Sequence, residues 1–167
     1  MSISKIIIGL TLSLLLGSSV AIAADFGKGL EAKNSGDFKT ALAEWIPLAE
    51  QDNAMAQFNL GHMYANGYGV PENDKTAVKW FTKAAEQGYD WSQFFLARMH
   101  QDGEGVLTNY VRAYMWYELT LYNSPKSDFA FHAKELKQLT AKKMTRADIS
   151  KAQEMASRCL NSGYTDC

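Results

Sequence analysis

The side chains able to do chemistry are few in this sequence, and their spacing favours structural roles. Its three histidines are His62, His100 and His132. The first two are 38 residues apart and have no cysteine near them in sequence. A metal site formed by both together with Asp102 or Glu104 is conceivable, but zinc sites normally show tighter ligand spacing. We expect packed or solvated histidines, and we predict no metal and no cofactor.

Motifs for nucleophilic catalysis and phosphate binding are also missing from the sequence. It has no G-x-S-x-G elbow, and its only S-x-x-K run spans residues 2–5. Glycines at 67 and 69, and again at 103 and 105, are not followed by the lysine and hydroxyl of a phosphate loop. These runs therefore indicate turns, and we expect a protein that is not an enzyme.

The first residues have the pattern of an export signal. Lys5 precedes an uncharged run that begins at Ile6, and Ala21-Ile22-Ala23 supplies the small residues that a signal peptidase reads. We predict a signal peptide at residues 1–23, cleaved after Ala23, and a domain at 24–167. An uncleaved membrane anchor is the alternative, because the uncharged run extends to residue 24. After cleavage we expect a soluble periplasmic or secreted protein without stable membrane insertion.

Charge and cysteine content narrow the choice of partners and compartment. With 17 basic and 18 acidic residues, the chain lacks the basic excess of a nucleic-acid-binding protein. Its only cysteines are Cys159 and Cys167. In an exported chain these are predicted to form a disulfide that holds the C-terminus; a free thiol pair or a metal site are the alternatives.

An internal repeat with a period of 36 residues is the strongest pattern. Leu60, Met63 and Gly67 recur as Leu96, Met99 and Gly103, and further matches extend the alignment on both sides. A period in the mid-thirties is typical of solenoids built from helix pairs. Within one copy, Ala77, Trp80, Phe81, Ala84 and Ala85 form the apolar stripe of an amphipathic helix.

The repeat motif has two parts. They are Leu60-Gly61-x-Met63-Tyr64-x-x-Gly67-x-Gly69-Val70 and Ala77-x-x-Trp80-Phe81-x-x-Ala84-Ala85-x-x-Gly88. This motif resembles the Sel1-like repeat family, which is related to the tetratricopeptide repeat. The resemblance implies an all-α solenoid of three antiparallel helix pairs with a two-helix C-terminal cap. The copies would span about 25–52, 54–88 and 90–123, and the cap 126–167. His100 replaces the packing tyrosine found at Tyr64.

A solenoid of this kind implies an adaptor that binds a protein or peptide partner in its concave groove. The first helices of successive pairs line that face. The residues expected there are Gln57, Phe58, Asn59, His62, Gln93, Phe94, Phe95 and Arg98. Packing between neighbouring helices is the alternative role for the phenylalanines. We expect a monomer whose partner the sequence does not identify. The alternative function is a cell-wall-related hydrolase or binder acting on peptidoglycan or β-lactams.

Overall fold

The computed structural model describes residues 24–167, and this part of the chain folds into eight α-helices without a strand. The helices are α1 (Phe26–Ser35), α2 (Phe38–Glu50), α3 (Ala54–Asn66), α4 (Asp74–Ala85), α5 (Asp90–Asp102), α6 (Tyr110–Asn123), α7 (Asp128–Ala141) and α8 (Arg146–Asn161). The predicted all-α class is confirmed. The predicted signal peptide lies outside the described residues.

Consecutive helices pack as pairs, and the pairs stack in chain order. Helices α1 and α2, α3 and α4, and α5 and α6 form the pairs, while α2 contacts α3 and α4 contacts α5. Both α7 and α8 pack on α6. The architecture is therefore the predicted solenoid of three helix pairs closed by a two-helix cap.

The repeat fixes the same core positions in each pair. Trp45, Phe81 and Tyr117 are 36 residues apart along the chain, and each is almost completely buried. Each belongs to the second helix of its pair. Burying an aromatic side chain at every period supplies much of the apolar area that holds a helix pair together.

Glycine is required in the long turns that follow α3 and α5. Gly69 and Gly105 have positive φ angles of 72° and 68°. A Cβ atom at either position would overlap with the beginning of the second helix of the preceding pair, at Phe38 for Gly69 and at Asp74 for Gly105. The two glycines let each turn pack closely on the preceding repeat.

The last helix of the C-terminal cap is stabilised at both ends. Thr145 and Asp148 form a capping box at the start of α8. In the last turn of the helix, Cys159 forms a disulfide with Cys167, which lies beyond the helix end. None of the helices between residues 24 and 167 is both long and apolar enough to cross a membrane.

Candidate functional site

The structure differs from the predicted binding face at two glutamines. Gln57 and Gln93 are completely buried. Nε2 of Gln57 donates a hydrogen bond of 3.0 Å to the carbonyl of Ala49, and Nε2 of Gln93 donates one of 3.2 Å to the carbonyl of Ala85. Carbonyls in the last turn of a helix have no partner within the helix, so a side-chain donor stabilises them. These amides therefore join successive pairs and do not face a partner.

Two further residues of the predicted face are also buried. The side-chain amide of Asn59 donates to the carbonyl of Met55 at 2.8 Å, one turn earlier in the same helix. Phe94 is only 9% exposed, and its ring centroid lies 6.0 Å from that of Tyr117 and 5.8 Å from that of Phe129. Packing, the alternative role for the phenylalanines, is what the structure gives Phe94.

The other four predicted residues reach the surface next to one another. Phe58 and His62 lie on α3, and Phe95 and Arg98 lie on α5. The ring of Phe95 is 5.7 Å from that of Phe58 and 6.2 Å from that of His62, measured between centroids. The three rings are half-buried, and Arg98 is exposed.

Trp91 extends this surface and was missed in the sequence. Its indole is 42% exposed and lies 6.3 Å from Phe58 and 4.3 Å from Phe129 of α7, measured between ring centroids. The sequence did contain a signal, because a large apolar residue, Met55, occupies the same position one repeat earlier. In the structure Met55 is likewise 45% exposed. We call the surface formed by Phe58, His62, Trp91, Phe95 and Arg98 the aromatic face.

The aromatic face carries little charge apart from Arg98. Burial lowers the pKa of His62, and the nearby positive charge of Lys33 lowers it further. The imidazole is therefore neutral at pH 7 and behaves as one more ring of the aromatic face. Half-buried rings fixed by their neighbours form a rigid surface, and such surfaces lose little conformational entropy when they bind.

Two depressions border α5 beside the aromatic face. The larger, of about 410 Å³, lies between α5 and α7, and its lining includes Phe94, Arg98, Leu136 and Leu139. The smaller, of about 170 Å³, lies between α3 and α5 over Phe95, and Arg98 borders it too. The α7 residues were missed because the repeat period lapses after α6, so no alignment placed them beside α5.

The arrangement of the titratable side chains determines whether a metal ion could bind and whether a charged histidine lies near the aromatic face. Between residues 24 and 167, no three histidine, cysteine or acidic side chains come together as metal ligands would. Burial lowers the pKa of His100 to about 4, and the positive charge of Arg112 contributes to the shift. His100 is therefore neutral and packed between helices at pH 7, away from the aromatic face.

Comparisons with known proteins identify the repeats. The family model described as Sel1 repeat matches residues 54–89 and 92–120. No curated protein matches the chain. One similar solved structure is a protective antigen present in uropathogenic Escherichia coli strains displaying an SLR fold. It is 26% identical with a TM-score of 0.73, over 81% of this chain and 30% of that one.

A second similar structure is a Sel1 repeat protein from Oxalobacter formigenes, which is 31% identical with a TM-score of 0.58. That match covers 60% of this chain and 41% of the other. The chain therefore spans less than half the length of either protein, and the likeness concerns the repeats and their stacking.

Proposed function

Because the chain is a Sel1-like repeat protein, we propose that it is a binding module that holds a partner protein on its aromatic face. Sel1 repeats generally mediate protein–protein interaction. The observation that carries the proposal is the exposure of Trp91 at 42% beside the half-buried rings of Phe58 and Phe95. No contact among the described residues favours the cell-wall alternative, and we do not propose it.

The composition and support of the aromatic face suit an interface. Tryptophan is enriched among the residues that dominate binding energies, and Trp91 is the most exposed ring of the aromatic face. The indole of Trp91 lies against the rings of Phe58 and Phe129, which hold it in place before a partner binds.

Affinity capture with residues 24–167 from extracytoplasmic extract tests the proposal. The test variant carries Trp91→Ala and Phe95→Ser. The matched control is Tyr122→Ala, since Tyr122 is an aromatic side chain that is 67% exposed on α6, away from the aromatic face. Circular dichroism first establishes that all three proteins are helical and melt cooperatively.

The expected result is a protein that the wild type and Tyr122→Ala both retain and the double variant loses. Truncating central aromatic anchors typically costs about 2 kcal/mol or more of binding energy each, which is enough to abolish capture of a micromolar partner. A partner retained by the folded double variant, or lost equally with Tyr122→Ala, would contradict the proposal.

We also propose that the protein acts outside the cytoplasm. The proposal is supported by the export pattern of residues 1–23 and by the disulfide between Cys159 and Cys167, because disulfides persist in oxidising compartments. Intact mass measurement of the protein from extracytoplasmic fractions tests both the location and the cleavage site. The expected species begins at Ala24 and has no free thiols; a full-length, reduced protein found only in the cytoplasm would overturn this proposal.

A further inference from the structure

The two depressions that border α5 are lined by the same kinds of residue. Each has an apolar floor, formed by Phe94, Leu136 and Leu139 in the larger and by Phe81, Phe95 and Met99 in the smaller. The larger recess has two carboxylates in its lining and the smaller has one, and Arg98 borders both. A ligand lying across α5 would therefore meet an apolar recess on either side of Arg98.

Negative charge predominates around these recesses. Asp102 and Glu135 border the larger recess and Glu104 borders the smaller, against the single guanidinium of Arg98. Arg98 and Asp102 are four residues apart on α5, so they lie on the same side of the helix. The positive charge of Arg98 therefore partly offsets the negative charge of Asp102. Because Arg98 borders both recesses, its single positive charge is shared among all three carboxylates.

The three carboxylates are also free of other ion pairs. Salt bridges among the described side chains join Lys28 to Glu44, Lys137 to Glu118 and Arg158 to Asp166. Asp102, Glu104 and Glu135 take part in none of them within the part of the chain that the structure describes. Among residues 24–167, the only side-chain hydrogen bond to any of the three is a 3.3 Å contact from Gln101 to Asp102. They remain available to positive charges on a partner.

From this charge pattern we propose that the partner presents a basic, apolar segment to the surface around α5. Its aliphatic or aromatic side chains enter the two recesses, and its lysine or arginine side chains face Asp102, Glu104 and Glu135. The proposal rests on the binding function proposed above and specifies the chemistry of the bound segment. Opposite charges at the edge of an apolar contact select the partner and speed its association.

Selection from a displayed library of random peptides tests the proposal and does not require the partner to be identified first. The bait is the oxidised protein, residues 24–167. Two variants serve for comparison after circular dichroism shows that they fold. One carries Asp102→Asn and Glu135→Gln, which removes two charges from the larger recess. The other carries Glu31→Gln and Glu154→Gln, which makes the same charge change at exposed positions on α1 and α8.

The expected binders combine apolar residues with lysine or arginine. A synthetic peptide of the enriched sequence should bind the Asp102/Glu135 variant about tenfold more weakly than the wild type and bind the Glu31/Glu154 variant equally well. Arg98→Glu should strengthen its binding several-fold, because the change removes the one positive charge at the site. Affinity for the wild type should fall as the NaCl concentration rises from about 50 to about 500 mM.

Other outcomes overturn the proposal in distinguishable ways. Enrichment of acidic, apolar peptides whose binding Arg98→Glu abolishes would refute the basic segment and leave the binding function standing. Self-association of the wild type that Trp91→Ala abolishes would show a second copy as the occupant and would likewise refute it. If no peptide is enriched on the wild type over the Trp91→Ala/Phe95→Ser variant, both this inference and the proposed binding function fail.

Discussion

The side-chain amide of Asn123 donates a hydrogen bond of 2.9 Å from Nδ2 to Oε1 of Gln93. The same bond recurs one repeat earlier, where Nε2 of Gln87 donates to Oε1 of Gln57 at 2.7 Å. The donors are 36 residues apart, and so are the acceptors. Each acceptor glutamine also donates to the preceding pair, so a two-bond amide link joins consecutive repeats at the same place each time.

Replacing Gln93 by alanine should lower the free energy of unfolding by about 2 kcal/mol. The side chain is completely buried, and its removal takes one hydrogen bond from the carbonyl of Ala85 and one from the amide of Asn123, each of which keeps a second hydrogen bond to Gly88. Urea unfolding followed by circular dichroism measures the loss. Gln153→Ala, at an exposed position of α8, is the control and should change stability by less than about 0.5 kcal/mol. Equal effects of the two substitutions would contradict a role for the amide link.

The disulfide at the C-terminus holds a residue that completes this link. Tyr164 lies in the loop between Cys159 and Cys167, and its hydroxyl donates a hydrogen bond of 2.7 Å to Oδ1 of Asn123. Reduction should lower the free energy of unfolding by roughly 2–3 kcal/mol, as loop-closure entropy gives for so short a loop. Urea titrations with and without a phosphine reductant, with thiols counted afterwards, measure the change.

The hydroxyl of Tyr164 should make a smaller, separate contribution to the free energy of unfolding. Tyr164→Phe in the oxidised protein should cost about 1 kcal/mol, the usual net value of a hydrogen bond. Tyr122→Phe removes a hydroxyl from an exposed ring and serves as the control.

For the disulfide itself, an unchanged unfolding midpoint after complete reduction would show that the bond between Cys159 and Cys167 does not stabilise the fold.

The sequence was sufficient to predict the fold because one period repeats in it. Trp45, Phe81 and Tyr117 share a position in three copies, and a pattern of this kind fixes both the helix boundaries and their buried sides. The same reasoning failed for Gln57 and Gln93. A polar side chain on a helix surface is expected to face water unless another element packs over it. Gln57 and Gln93 are instead covered by the preceding helix pair, where they donate to the carbonyls of Ala49 and Ala85.

The part of the candidate site on α7 could not be predicted either. Leu136 and Leu139 come after the repeat has lapsed, so no equivalent position in an earlier copy indicated that they would lie beside α5. Within a complete copy, Arg98 reaches the surface and Gln93 on the same helix does not, because Gln93 is covered by the preceding pair. Periodicity therefore locates the helices, whereas the contacts between elements decide which of their polar residues are exposed.

Replacing Gly105 by alanine should destabilise the protein by about 3 kcal/mol or more. A positive φ alone costs an alanine about 1–2 kcal/mol, and the added methyl group would also overlap with the backbone at Asp74. Gly163→Ala is a matched control, because Gly163 has a similar φ of 62° and nothing within 4 Å of its would-be Cβ. The difference between the two losses in urea unfolding measures the contact with the preceding repeat; equal losses would refute the close packing of this turn.

The packed His100 should make the stability of the protein depend on pH below about 6.5. Its pKa in the folded state is about 4, against 6.5 for an unperturbed histidine. Between these values the unfolded chain binds a proton at this residue and the folded chain does not, so stability is present above pH 6.5 and is lost as the pH falls towards 4. The ring is only partly buried, and allowing for solvent screening the loss should be about 2 kcal/mol.

A comparison with His100→Tyr isolates this contribution from that of the carboxylates, which titrate in both proteins. Tyrosine is the residue at the same position one repeat earlier, Tyr64, so the substitution keeps a ring in the site. Urea unfolding at several pH values from about 7 to about 4 should show the wild type losing about 2 kcal/mol more than the variant over this range. Parallel profiles for the wild type and His100→Tyr would mean that His100 binds its proton equally well in the folded and unfolded chains, which its burial beside Arg112 argues against.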